Sequence, residues 1–218
     1  MSDLEHAACS PLALDPDGFN PNCVLPYGLS TGAVRSSMQS FLDFLGFINA
    51  QLRTKELPRL ESMLMAANFS SMVGEFLGAN IPKHCPTLAR NRYHNGHPDL
   101  IPAGQFKGEA VQYAHDGVEI KASRYEKSWQ GHNPEAVFLI VFVFESNGPR
   151  DEHLSVAPTP FRFKMAVGAR LTLDDWKFAG RTGTSRRTIT SSVMKSGYEK
   201  MTRNWIYLAP DERQSLGR

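Results

Sequence analysis

Apolar positions repeat at helical spacing in the first part of the chain and form strand-length runs further on. From Ser30 to about Thr54 they keep the 3.6-residue period of one helix face, and Thr31 or Ser30 can cap this helix. A second helix is predicted from Pro58, and Gly78 and Pro82 are expected to end it. Two amphipathic helices therefore precede the strands.

From residue 87 onward the pattern favours strands separated by Gly, Pro or Asn. The segments are 87–94, 99–102, 118–123, 137–144, 161–167 and 205–208. Residues 136–144 are apolar without alternation, which is typical of a central strand covered on both faces. A short helix is expected to start at 173–176 and a loop at 182–185, while 188–198 is ambiguous. The fold class predicted is α/β, with a mixed central sheet flanked by helices.

Length and composition indicate one folded domain with an appendage. The chain has 218 residues, of which 41% are hydrophobic and 21% charged, as in average globular proteins. Residues 1 to about 30, rich in Pro, Gly, Asn and Asp, predict an irregular arm packed on the surface or partly disordered. No apolar run is long enough for a membrane helix, the acidic N-terminus is unlike a secretory signal, and three cysteines form no CxxC pair. We expect a cytoplasmic protein with reduced thiols.

The charge is unevenly distributed along the chain. Residues 160–218 contain 12 Lys/Arg against 5 Asp/Glu, a net charge of +7, and residues 1–159 contain 12 against 17, a net charge of −5. A basic C-terminal part suits a polyanionic partner, and a solvated basic face without a partner is the alternative.

Three polar residues on two successive predicted strands form the most informative pattern. Pro98-Asp99 opens one strand, and Glu119 and Lys121 lie twenty residues later in the next. Side chains alternate along a strand, so Glu119 and Lys121 share one face while Ile120 enters the core. If the strands are neighbours, the carboxylates of Asp99 and Glu119 can bind one oxygen-preferring cation such as Mg²⁺. In phosphodiester hydrolysis such a cation polarises the phosphoryl oxygen and lowers the pKa of the attacking water, and Lys121 would orient that water and offset the charge that builds on the phosphate.

Pro98-Asp99 followed by Glu119-x-Lys121 resembles the PD-(D/E)xK nuclease superfamily, which includes type II restriction endonucleases and DNA-repair nucleases. The resemblance covers about residues 60–145 and implies a restriction-endonuclease-like fold with Asp99, Glu119 and Lys121 as catalytic residues. It also implies Glu75 as a further metal ligand beside Asp99 and Glu119, with Glu61 as the fallback, and Gln130 as a further catalytic residue.

The resemblance thus implies a Mg²⁺-dependent endonuclease, with Mn²⁺ as a substitute, that cuts double-stranded DNA as a homodimer. A sequence-specific type II restriction enzyme is the preferred interpretation. On this view residues 31–218 form one nuclease domain, with its catalytic core at about 60–145 and a DNA-contacting part at about 160–218. The DNA contacts are predicted for a set of basic and hydroxyl side chains, namely Lys177, Arg181, Ser185, Arg186, Arg187, Thr188 and Lys195.

Other interpretations remain open at this point. They are a nuclease that reads DNA structure, a DNA-binding module without activity, and a structural protein with other acidic partners. A structural zinc site at His84, Cys85, His94 and His97 is a further alternative, although the spacing is unlike a zinc finger. Gly180-Arg181-Thr182-Gly183-Thr184 lacks the ending of a phosphate-binding P-loop, so no nucleotide cofactor is expected.

Overall fold

The computed structural model describes residues 3–131, 133–151, 154–179 and 190–215. The helices in chain order are α1 (Asp3–Ala8), α2 (Thr31–Arg53), α3 (Leu60–Met63), α4 (Ala66–His84), α5 (Lys195–Arg203) and α6 (Pro210–Ser215). The strands are β1 (Leu88–Arg90), β2 (Leu100–Pro102), β3 (Val118–Ser123), β4 (Gln130–Gly131), β5 (Phe138–Glu145), β6 (Arg162–Arg170), β7 (Trp176–Ala179), β8 (Thr190–Val193) and β9 (Trp205–Leu208).

A mixed sheet of six strands forms the centre of the molecule, in the order β1-β2-β3-β5-β6-β9. Strands β3 and β5 are parallel, and the other neighbours are antiparallel. The apolar strand β5 lies inside this sheet and is buried over Phe138–Phe144. The mixed α/β class and the covered central strand are therefore confirmed.

The two faces of the central sheet are covered by different elements. On one face, Ile140 and Phe142 of β5 belong to the apolar core that also contains buried residues of α2 and α4. On the other face, Leu139 and Val141 pack with residues of a second sheet, in the order β4-β8-β7, and with Met201 of α5. The prediction of flanking helices is thus correct for one face, while a small sheet and α5 cover the other.

The first helix follows its local sequence signals, whereas the second does not. Helix α2 begins after Ser30, whose Oγ accepts a hydrogen bond of 3.1 Å from the Ala33 amide, as expected for a cap. The second predicted helix is divided into α3 and α4 by extended backbone at Leu64 and Met65. Pro82 does not end α4, which continues to His84, because a proline this close to a C-terminus removes only one late hydrogen bond.

The N-terminal arm contains the α-helix α1 and a 3-10 turn at Pro16–Gly18, and a buried arginine ties it to the domain. Within the arm, α1 supplies Glu5, which pairs with Arg59 at 2.8 Å. Arg59 is 2% exposed and also pairs with Glu61 of α3 at 2.9 Å. Its guanidinium reaches Asn147 Oδ1 at 2.9 Å as well. One buried cation thus connects three segments that are distant in sequence.

The ambiguous segment and the expected helix near 173 have mixed structure. Leu173–Asp175 forms a single 3-10 turn that leads directly into β7. Part of the segment 188–198 forms β8 and the first residues of α5. The predicted loop at 182–185 lies outside the described residues. Among the described helices, none is long and apolar enough to cross a membrane.

Candidate active site

Strand β2, which Asp99 directly precedes, and strand β3, which carries Glu119, are neighbours, and this is the pairing on which the predicted site depended. Strands β2 and β3 pair antiparallel, with Leu100 opposite Val118. Asp99 directly precedes β2, and its Oδ2 accepts a hydrogen bond of 2.8 Å from the backbone amide of Ile120. The Asp99 side chain is therefore held beside the backbone between Glu119 and Lys121.

Glu119 and Lys121 form an ion pair on one face of β3. Lys121 Nζ donates to Glu119 Oε1 at 2.8 Å, and the side chains are 19% and 12% exposed. Ile120, between them, points into the opposite core and is 6% exposed. The alternation predicted from the sequence is confirmed. The strand thus uses one apolar residue to anchor a half-buried polar pair.

Two residues that the sequence analysis did not assign to this site also belong to it. His97 Nδ1 lies 3.0 Å from Glu119 Oε2 and 3.9 Å from Glu135 Oε1. One ligand atom from each of His97, Glu119 and Glu135 lies within 4.8 Å of the others, a spacing at which a metal ion could be bound. This cluster contains none of His84, Cys85 and His94, so three of the four residues of the zinc hypothesis are not part of it.

A local signal existed for His97 but not for Glu135. His97 is only two residues before Asp99 in the chain, so it is close in sequence to a residue already assigned to the site. Glu135 precedes β5 and comes near Glu119 because β5 pairs with β3, with Phe138 beside Val118. That pairing joins residues about twenty positions apart, and no short motif encodes it.

The two carboxylates have pKa values shifted in opposite directions. Burial, and then the charge of Glu119, raises the pKa of Asp99 to about 7, against the opposing effects of the Ile120 amide and Lys121. Burial alone would raise the pKa of Glu119 as well, but Lys121 and His97 outweigh it and lower the value to about 2. Carboxylates whose environments separate their pKa values are typical of functional sites.

The same carboxylates raise the pKa values of the two cationic partners, Lys121 and His97. Burial would lower the pKa of Lys121, but the charges of Glu119 and Glu135 raise it. The pKa of His97 is likewise raised, because the contact with Glu119 outweighs burial. Lys121 is therefore a cation at neutral pH, with its ammonium group beside two acids.

A wide cleft of about 1730 Å³ opens at this site. Small-molecule pockets usually measure about 300–1,000 Å³, so the cleft has room for a segment of a polymer. Its walls come from α4, the segment before β2, strand β3 and the segment before β5. The lining residues with candidate roles are Glu75, His97, Asp99, Glu119, Lys121, Gln130 and Glu135.

Glu75 and Glu61 occupy very different environments. Glu75 of α4 lines the cleft, is 65% exposed and pairs with Arg90 of β1. Its charge contributes to the raised pKa of Asp99, so it lies near the cluster. Glu61, the fallback ligand, is 1% exposed and binds Arg59 and Asn49 in the domain interior. Of the two helical acids, Glu75 is the one at the cleft.

Of the remaining predicted site residues, three lie within the described part of the chain. Gln130 is the first residue of β4, is exposed and lines the cleft. Lys177 on β7 and Lys195 at the start of α5 are exposed. The other predicted DNA contacts lie outside the described residues, and these are Arg181, Ser185, Arg186, Arg187 and Thr188.

Gly117 allows β2 to pack close to the start of β3, because it has no Cβ. Its φ is +137°, and a Cβ there would lie 2.2 Å from the Leu100 carbonyl oxygen and 2.4 Å from Pro98 Cγ. We expect Gly117→Ala to destabilise the fold by about 2–4 kcal/mol, because it combines backbone strain with a clash between backbones. The Asp99–Ile120 hydrogen bond should be lost as β2 moves away. Urea denaturation measures the change in stability.

Gly104→Ala is the matched control for this prediction. Gly104 also has a positive φ, +77°, but no atom lies within 4 Å of a Cβ built there. The control therefore introduces the strain without the clash, and should lower stability by only about 1 kcal/mol. Equal losses of stability in Gly117→Ala and Gly104→Ala would contradict the prediction, because they would show that the close approach of β2 to β3 adds nothing to the cost of a side chain at position 117.

The chain was also compared with known proteins. No protein-family model matches it, and no curated protein matches it.

Proposed function

We propose that this protein is a Mg²⁺-dependent endonuclease that hydrolyses phosphodiester bonds in DNA. The observation that carries the proposal is that Asp99, directly before β2, lies beside Glu119 and Lys121 of the paired strand β3 at the edge of a wide cleft. The same three residues carry the resemblance to the PD-(D/E)xK nucleases. Their order on the strands of a mixed sheet supports a restriction-endonuclease-like fold for the chain.

The donor atoms at the site fit a divalent cation. Asp99 and Glu119 offer carboxylate oxygens, the ligands that Mg²⁺ prefers, and Glu75 is a nearby third acid. His97 and Glu135 lie beside Glu119, so this cluster offers one imidazole and two carboxylates within 4.8 Å of one another. When bound, such a cation would polarise the phosphoryl oxygen and lower the pKa of a water nucleophile.

The role proposed for Lys121 follows from its charge and its fixed position. Its ammonium group is held by Glu119 at 2.8 Å and stays protonated, so it can donate to an attacking water or to a phosphate oxygen. His97 holds the other oxygen of Glu119 at 3.0 Å and so limits rotation of that carboxylate. Both residues position Glu119, from opposite sides, and Lys121 also offsets negative charge that develops on the phosphate.

The substrate and biological context are part of the same proposal. The basic C-terminal part and the cleft suit a DNA backbone, and a symmetric duplex site would favour a homodimer. A sequence-specific type II restriction enzyme in the cytoplasm is the preferred form. A nuclease that reads DNA structure is the alternative within the same chemistry.

Plasmid digestion tests the proposal. Supercoiled plasmid is incubated with the protein in Mg²⁺, in Mn²⁺ and in EDTA, and the ends of the products are sequenced. We expect nicked or linear DNA with either cation and none in EDTA. One recurrent end sequence would support restriction, and scattered ends would support the alternative. Protein that binds DNA but never cuts it, with either cation and varied substrates, would contradict the proposal and favour a non-catalytic DNA-binding module.

A further inference from the structure

Two exposed tyrosine rings lie on the wall of the cleft. Tyr93 is 45% exposed and Tyr125 is 78% exposed, and both line the cavity that contains Asp99, Glu119 and Lys121. An aromatic ring in water leaves a large apolar face uncovered. Two such faces on one cleft are suited to a ligand that presents flat apolar surfaces of its own.

The backbone of Tyr125 is fixed although its ring is exposed. Its amide donates to Ser123 Oγ at 2.9 Å, and its carbonyl accepts from Ser123 Oγ at 3.0 Å and from Trp129 Nε1 at 2.8 Å. Ser123 is the last residue of β3, and Trp129 is 3% exposed. The strand that carries Glu119 and Lys121 thus also fixes the position of Tyr125.

Tyr93 is connected to the other strand of the site in a similar way. Its amide donates to Asn91 Oδ1 at 3.1 Å, and its carbonyl accepts from the Gly96 amide at 2.9 Å. Asn91 is 9% exposed, its amide donates to the Asp99 carbonyl at 2.8 Å, and its side chain donates to the Pro98 carbonyl at 3.1 Å. Both rings are therefore presented by backbone that is tied to the residues of the proposed active site.

Each ring has an exposed cation close to it in the chain. Arg92 precedes Tyr93 and Lys127 follows Tyr125 by two residues, and both cations line the cleft. Aromatic faces alternating with cations are the arrangement with which proteins bind single-stranded nucleic acid, since bases stack on the rings and phosphates contact the cations. In an intact duplex the base faces are covered by neighbouring pairs, so a tyrosine cannot stack on them.

The distance from the rings to the reacting groups suits a short unpaired segment. Tyr125 is four residues after Lys121, and four residues of extended chain span at most about 13 Å. Stacked nucleotides are spaced by about 3.4 Å along a strand. A base on Tyr125 would therefore be only a few nucleotides from a phosphate at Lys121.

We propose that the cleft binds unpaired DNA bases by stacking them on Tyr93 and Tyr125, with Arg92 and Lys127 at the adjoining phosphates. The preferred substrate then contains a single-stranded segment beside the scissile phosphate. The binding part of this inference stands on the cleft alone, while the statement about the scissile phosphate rests on the proposed function. On this inference the alternative named under the proposed function, a nuclease that reads DNA structure, takes precedence over the type II restriction enzyme.

Binding without metal separates this inference from the proposed function. Fluorescence anisotropy in EDTA compares a labelled single-stranded oligonucleotide of about 20 thymidines with a blunt hairpin of the same number of phosphates, whose two paired strands are joined by a flexible linker without bases. We expect the single strand to bind at least about tenfold more tightly than the hairpin. Tyr93→Ala and Tyr125→Ala should each weaken single-strand binding about tenfold, and should leave hairpin binding unchanged. Tyr93→Phe and Tyr125→Phe, which keep the stacking face, should bind as the unaltered protein does.

Phe47→Ala is the control for loss of an exposed aromatic ring. Phe47 lies on α2 and is 63% exposed, and it does not line the cleft. Equal affinity for single strand and hairpin, or alanine variants that bind single strands like the unaltered protein, would overturn the inference. If tyrosine-dependent binding is found but no DNA is cut in Mg²⁺, the stacking site stands and the nuclease proposal fails. If plasmid is cut but neither tyrosine affects single-strand binding, the nuclease proposal stands and the stacking site fails.

Discussion

Replacing Asp99 by asparagine is expected to reduce metal-dependent DNA cleavage by about three orders of magnitude or more, without unfolding the protein. Asparagine keeps the oxygen that accepts the hydrogen bond from the Ile120 amide at 2.8 Å, so the local backbone should be preserved. It removes the negative charge that would bind the cation. Cleavage rates in Mg²⁺ measure the loss.

The same substitution is expected to stabilise the metal-free protein, by an amount that depends on pH. Burial and the charges of Glu119 and Glu75, opposed by the Ile120 amide and Lys121, raise the pKa of Asp99 from 3.8 to about 7. Between these values the unfolded chain is ionised at this position while the folded protein still holds the proton. The unfolded state then binds fewer protons, so the free energy of unfolding of the unaltered protein falls as the pH rises.

The Asp99→Asn variant lacks this pH-dependent loss. Its advantage should be near zero at pH 4 and grow to about 1–3 kcal/mol at pH 7, measured by urea denaturation in EDTA. The matched control is Asp116→Asn, because Asp116 is exposed in the turn before β3. That control should alter neither cleavage nor stability appreciably. A variant of Asp99 that cuts DNA at the normal rate would remove this residue from the proposed mechanism.

Replacing Arg59 by alanine is expected to cause the largest loss of stability, about 3–5 kcal/mol. Arg59 and Glu61 are 2% and 1% exposed, and they pair at 2.9 Å. Removing the guanidinium leaves a buried carboxylate whose other described contact is the amide of Asn49, at 3.0 Å. It also removes the contact at 2.8 Å that ties Glu5 of the N-terminal arm to the domain.

Arg162→Ala is the control for this effect, since Arg162 has two carboxylate partners at the surface. It pairs with Glu145 and Asp211, and the side chains are 28%, 49% and 49% exposed. Exposed ion pairs contribute little, so we expect a loss of about 1 kcal/mol or less, again by urea denaturation. Similar losses for Arg59→Ala and Arg162→Ala would show that burial does not determine the strength of the Arg59 network.

Several elements were predictable because their signals are local. Strands β3 and β9 have the bounds expected from their apolar runs, and α2 begins after its capping serine. The alternation along β3 placed Glu119 and Lys121 on one face without knowledge of the partner strands. These features depend on residues only a few positions apart, for which backbone geometry fixes the relation between side chains.

The sequence by itself thus determined the helix α2, the main strands, the mixed α/β class and the placement of Glu119 and Lys121 on one face of β3. Tertiary structure decided which elements cover each face of the sheet, and it placed Glu61 with Arg59 in the interior but Glu75 at the cleft. It also brought Glu135 to Glu119 through the pairing of β3 with β5. The physical reason is that strand pairing and burial join residues far apart in the chain, and no local pattern of side chains records which strand will become a neighbour.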